Sequence, residues 1–270
     1  MLLSKKTFLL PNKMIVTFTT SPTRIFLCLP MIQSILNQTE PPELFILQIP
    51  HKFQRTNEEY IIPDFLKELP IKILNCDRDF GPGTKLIPTI RYLQDEKYPD
   101  NTRILYCDDD IVYPRRMLES MSKMPNHVVW GMTGIRLKKS YHIKFEGYRT
   151  HLGKVDIVEG FGGVLTTLGM FRSDFFIVMD RCLLNSVLRN ADDLLFSNYF
   201  AKNQIEMRIY NRPASSHTEI QVLEYGNRSD ALHVSVNSIQ RYKQVFQILK
   251  HLNMDYFGAS NRFNLFLSQK

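Results

Sequence analysis

The sequence predicts an α/β fold, a mostly parallel sheet with helices on both faces. Short β-branched and apolar runs alternate with stretches of helical periodicity through the N-terminal half. Each run is closed by proline, glycine or polar turn residues. Acidic and basic residues collect directly behind several runs, at the carboxyl ends where sheets of this class bind ligands.

Met14-Ile15-Val16-Thr17-Phe18-Thr19-Thr20 is rich in β-branched residues and reads as the first strand, broken by Ser21-Pro22-Thr23. A helix is predicted over Arg24–Gln38 from the spacing of Ile25, Leu29, Ile32, Ile35 and Leu36, with Pro30 as a disturbance. Glu43–Ile49, closed by Pro50, and Ile71–Cys76 are the next strands. Thr84–Leu93 reads as a helix behind a Gly-Pro-Gly turn, again with an awkward Pro88. Arg103–Cys107 is the fourth strand, Met117–Met124 a helix, and Val128–Trp130 a short fifth strand. The second half is less regular. Lys138–Leu152, polar and aromatic, reads as a loop able to order over a ligand. Phe171–Leu188, Ala191–Lys202 and Ser238–Leu252 read as helices. No repeat, low-complexity tract or linker divides the 270 residues, so a single domain is expected.

Apolar residues make up 44% and charged residues 23%, ordinary values for a globular chain with a substantial core. No stretch approaches the ~18–20 apolar residues of a membrane span. Lys5 and Lys6 interrupt the apolar start and make it a poor signal peptide, so a cytoplasmic location is expected. Cys28, Cys76, Cys107 and Cys182 are dispersed without zinc or redox spacing, which predicts buried free thiols. Asn37-Gln38-Thr39 and Asn227-Arg228-Ser229 match the glycosylation acceptor pattern, but without a secretory signal they read as chance. A net charge of +7 permits anionic partners, including a nucleoside diphosphate and peripheral contact with an anionic membrane. No concentrated Lys/Arg tract is present, and no nucleic-acid partner is expected.

The centre of the chemistry is Asp108-Asp109-Asp110, placed directly behind the fourth strand. Adjacent carboxylates repel, so the cluster needs a cation or basic groups; hard oxygen donors suit Mg²⁺ or Mn²⁺ shared with substrate phosphates. If the strand continues, Asp108 and Asp110 point one way and Asp109 the other. One of the pair can then take a ribose hydroxyl or a water while the other binds metal. In Asp77-Arg78-Asp79-Phe80-Gly81-Pro82-Gly83-Thr84-Lys85, the glycines allow close backbone approach. The following helix start and Lys85 offer positive charge to an anion. The P-loop spacing is absent. Asp192 and Asp193 open a helix, and either could act as general base. In Glu159-Gly160-Phe161-Gly162-Gly163 the glycines either permit tight packing beside a sugar on which Phe161 could stack or form a structural tight turn. His217, or His233 in its place, could be a further metal ligand.

Together these residues resemble a known family. Thr19-Thr20-Ser21-Pro22-Thr23-Arg24, Asp79–Leu86, Tyr106–Pro114, Gly160–Leu165 and Ala191–Leu194 stand in the order of GT-A fold nucleotide-sugar glycosyltransferases. The chain is similar to the small glycan-building enzymes of chlorella viruses and some bacteria, over about residues 14–220. The resemblance implies an inverting transferase with a nucleotide-sugar donor, most often UDP-linked, using Mn²⁺ or Mg²⁺, and a glycan or glycoconjugate acceptor. Residues 14–135 would bind donor, and 136–270 would bind acceptor and carry the base. It implies that Thr19, Thr20, Arg24 and Asp79 line the nucleotide pocket, with Lys85 near the ribose or diphosphate. Asp108 would touch the ribose with Asp109 beside it, and Asp110 and Asp108 would serve the metal with His217 as a further ligand. Asp193, or its neighbour Asp192, would be the base.

Two rivals compete. Asp108-x-Asp110-x-Val112 also fits the D-x-D-x-T/V pattern of haloacid-dehalogenase-type phosphatases, although there the first Asp usually closes the first strand. A non-catalytic binder of sugar nucleotides or glycans is the other. Release of nucleoside diphosphate, of phosphate, or of neither separates the three.

Overall fold

The computed structural model describes residues 14–138, 140, 146–210, 220–227 and 238–257. Its centre is a nine-stranded sheet. The strands are β1 (Met14–Thr19), β2 (Leu44–Pro50), β3 (Lys72–Cys76), β4 (Arg103–Tyr106), β6 (Val128–Leu137), β7 (Gly147–Thr150), β8 (Gly153–Val155), β9 (Ile157–Thr167) and β10 (Glu206–Ile209). They lie in the order β3-β2-β1-β4-β9-β6-β10-β8, and β7 shares an edge of β6 with β10. β1, β2, β3, β4, β6 and β10 run one way, and β7, β8 and β9 run against them, so the sheet is mostly parallel. A small antiparallel pair joins β5 (Ile111–Val112) to β11 (Gln221–Val222).

Alternation along the strands divides the core. Ile15, Ile46, Ile104 and Tyr106 face one side, where they pack against α3 (Ile87–Asp95), α5 (Phe175–Leu183), α6 (Ser186–Arg189), α7 (Asp192–Lys202) and α8 (Ser238–His251). Val16, Phe18, Phe45, Leu47 and Leu105 face the other, against α1 (Leu29–Leu36), α2 (Asp64–Lys67) and α4 (Met117–Met121). Both sheet faces are thus apolar, as helix-covered parallel strands require. Each fully buried aliphatic or aromatic side chain contributes roughly 1.5–3 kcal/mol.

Several expectations need correction. The helix expected over Arg24–Gln38 spans only Leu29–Leu36, because Pro30 sits in its first turn and Arg24 lies in the turns before it. The helix expected from Thr84 is a 3-10 turn over Gly81–Lys85, followed by α3 with Pro88 in its own first turn. Val128–Trp130 is the opening of a ten-residue strand. In the expected loop Lys138–Leu152, Gly147–Thr150 forms β7 on the edge of β6. The glycine-rich segment lies inside β9, not in a tight turn; Gly162 and Gly163 there take φ of +87° and +89°. All four cysteines are buried and free, as expected.

Candidate active site

β4 ends at Tyr106, and the chain turns through Asp108, Asp109 and Asp110 before β5. The expected alternation of the aspartates therefore does not hold: they belong to a turn, and each meets a different partner. Cys107 N–H still donates to Thr17 O of β1 at 3.0 Å. The Tyr113 hydroxyl braces the turn, accepting from Asp108 N–H at 3.0 Å and donating to Asp108 O at 3.1 Å.

On one side of the turn stands Lys85, buried at 3% exposure. Its backbone is pinned from the sheet. Gln48 Nε2 donates to Thr89 Oγ1 at 2.9 Å, and Thr89 and Thr17 hydroxyls lie 2.7 Å apart. The Thr17 hydroxyl donates to Lys85 O at 2.7 Å, so Thr89 must be the donor to Thr17. This buried relay from β1, β2 and α3 fixes the end of the 3-10 turn. Gly81, at φ +63°, lets that turn pass within Cβ distance of the Arg189 carbonyl, 2.6 Å from where a Cβ would sit. Asp79, expected in the nucleotide pocket, organises the same loop: its oxygens accept from Gly81 N–H at 2.7 Å and Gln54 N–H at 2.9 Å.

Lys85 Nζ donates to Asp108 Oδ1 at 2.7 Å. Asp192 Oδ2, at the start of α7, lies 2.8 Å from the same nitrogen as an ion pair without an aligned hydrogen bond. Burial pulls the Lys85 pKa down, but Asp108, Asp192 and Asp193 outweigh it and hold the ammonium charged. Asp193 Oδ1 accepts from Gly160 N–H at 2.8 Å. Burial, followed by the charge of Asp192, raises the Asp193 carboxyl well above the usual range. Gly160 leaves room for this meeting: a Cβ there would lie 3.0 Å from Lys85 Nζ, 3.1 Å from Asp193 Oδ1 and 3.6 Å from Asp108 Oδ1.

On the other side stands Arg24. It reaches Asp109 Oδ1 at 3.0 Å and Asp110 Oδ2 at 3.3 Å, and it lies over the Tyr225 ring, 5.5 Å from its centroid. The Thr20 hydroxyl donates to Asp109 Oδ2 at 2.6 Å. Asp109, expected to face away from the working pair, is thus the most completely held carboxylate of the three. Thr19 turns back to the sheet, donating to Gln48 O at 2.8 Å. Burial, then Asp109 and Asp108, push the Asp110 carboxyl up to about 7.

Sequence reasoning missed Tyr225, whose hydroxyl donates to Asp109 O at 2.6 Å, and the strand pairing of β11 that brings it there. It also missed Arg149 as the partner of Glu159, at 2.7 Å. His217 and His233 lie outside the described residues.

Among the described residues no three His, Cys, Asp or Glu side chains gather as a metal cage. The donor chemistry nevertheless fits a hard divalent cation. Asp110 is a partly buried carboxylate beside Asp108 and Asp109, and Mg²⁺ is commonly held by one or two carboxylates, with waters and substrate phosphates completing its shell.

No family profile and no curated protein matches the chain. Solved structures with similar folds include the galactosyltransferase LgtC in complex with donor and acceptor sugar analogs: 11% identity, TM-score 0.44, covering 87% of this chain and 95% of that one. Residues 1–349 of TarS from S. aureus, in complex with UDP, match at 10% identity and TM-score 0.43. That match covers 77% of this chain and 59% of the TarS chain. A 4-diphosphocytidyl-2C-methyl-D-erythritol synthase matches at 8% identity and TM-score 0.44, covering 78% and 94%. No helix among the described residues is long and apolar enough to cross a membrane.

Proposed function

We propose that this protein is a metal-dependent, inverting glycosyltransferase of the GT-A type, moving a sugar from a UDP-linked donor to a hydroxyl of a glycan or glycoconjugate. The observation that carries the reading is the sharing of buried Lys85 between Asp108, in the turn after β4, and Asp192, at the start of α7. It brings a sheet-rim acidic turn and a helix-borne candidate base into one site.

Asp110 and Asp108 would hold Mn²⁺ or Mg²⁺, which when bound neutralises charge on the departing diphosphate. Lys85 holds Asp108, and Arg24 holds Asp109 and Asp110, in their places in the turn. The acceptor oxygen forms a bond to the anomeric carbon from the face opposite the leaving group. The bond from that carbon to the diphosphate oxygen breaks, and its electron pair departs with UDP. The acceptor proton passes to Asp193, since Asp192 is engaged by Lys85.

Two variants test the division of labour. Asp110→Ala abolishes Mn²⁺-dependent UDP binding by calorimetry, whereas Asp193→Asn retains it and loses roughly 10²–10⁴-fold in UDP release with acceptor. A screen of UDP- and GDP-sugars with Mn²⁺ identifies the donor. Phosphate release in place of UDP release refutes the transferase reading.

A further inference from the structure

Glu159 is buried at 5% exposure, one residue before the glycine that holds Asp193. Its Oε1 accepts from Arg149 at 2.7 Å, while its buried Oε2 has no hydrogen-bond partner. A buried carboxylate oxygen without a hydrogen-bond partner is costly unless something answers it. Arg149 comes from β7, and its side chain is 63% exposed against 6% for Glu159, so the pair runs from the surface inward. Arg149 and Glu159 both lie within electrostatic reach of Asp193 and of Tyr242 on α8.

A guanidinium with spare N–H donors beside a carboxylate with a spare acceptor oxygen complements a diol, in which each hydroxyl both donates and accepts. We infer that Arg149 and Glu159 form a subsite for a vicinal diol of the acceptor sugar, which holds the attacking hydroxyl near Asp193. Glu159 Oε2 accepts one sugar O–H, and Arg149 donates to the neighbouring sugar oxygen. Glu159 is a positioning residue here, because the transferred proton goes to Asp193. The inference rests on the glycosyltransferase reading for its place in a reaction, though not for the binding itself.

The probes are the methyl glycosides of glucose, galactose and mannose and their deoxy counterparts, observed by saturation-transfer NMR on the full chain. At least one glycoside should bind the wild type and lose signal when one ring hydroxyl is removed. Glu159→Gln and Arg149→Ala should weaken it about 10–100-fold, as expected for a lost hydrogen bond to a charged group. Melting curves and calorimetric UDP binding monitor each variant. With a turnover assay in hand, Glu159→Gln raises the acceptor KM and leaves the donor KM within about twofold. No glycoside binding to the wild type, or equal binding to Glu159→Gln, overturns the subsite. UDP release with an unchanged acceptor KM in Glu159→Gln also overturns it, and leaves the transferase reading standing. Glycoside binding that depends on Glu159, with no turnover of any nucleotide sugar, overturns the transferase reading and upholds the subsite.

Discussion

Lys85 is the residue on which the candidate site turns. It is a buried ammonium with two carboxylate oxygens within 2.8 Å and a third acid in its field. Removing one partner of such a buried group leaves uncompensated charge, which is more damaging than never having buried the group. Lys85→Met therefore destabilises the fold by about 3–5 kcal/mol in urea unfolding at neutral pH. Adding Asp192→Asn to that variant recovers part of the loss, and a change below ~1 kcal/mol would contradict the ion-pair assignment. The importance of Lys85 was legible from its place after a Gly-Pro-Gly turn. Its partners were not, because Asp108 and Asp192 are 23 and 107 residues further along the chain. The grouping of the aspartates was misread because strand alternation was carried past Tyr106, where the strand stops: Asp109 and Asp110 share Arg24, and Asp108 meets Lys85.

At the scale of elements, the N-terminal strands were the most legible part, since parallel strands buried on both faces appear as unbroken apolar runs. Pro30 and Pro88, read as disturbances, instead begin helices, where a missing N–H costs nothing. β6 was seen only in its first three residues because Gly131 and Gly134 dilute its apolar pattern. The partners that make it a strand, β9, β10 and β7, are remote in sequence. β9 carries a constraint that a glycine-rich segment alone does not reveal. Its Gly160 leaves the space in which Lys85, Asp108 and Asp193 meet. Gly160→Ala should fold with little change in melting temperature, because the added methyl presses on side-chain ends. Displacement of Asp193 should then cost up to about 10²-fold in turnover. Wild-type turnover in this variant would show that the acids need not lie where they do.

Across the whole molecule, the four thiols report on the integrity of both cores. Burial pushes Cys28 and Cys76 up to about 12 and Cys182 to about 11, and it raises Cys107 as well. The thiolate is the reactive form. The native protein should thus resist iodoacetamide at pH 8, and all four sites should be alkylated together on unfolding, as read by mass spectrometry. Early labelling of Cys182 alone would indicate that the α5 face opens independently. The contact between Tyr225 and Asp109 spans 116 residues and has a different consequence. A ribosome makes this chain from its N-terminus, so β1 to β4 and the acidic turn emerge long before the segment that closes over them. Until residues 220–227 arrive, a nascent chain holds its aspartates without the Tyr225 clasp, and the acidic turn gains this brace only late in synthesis.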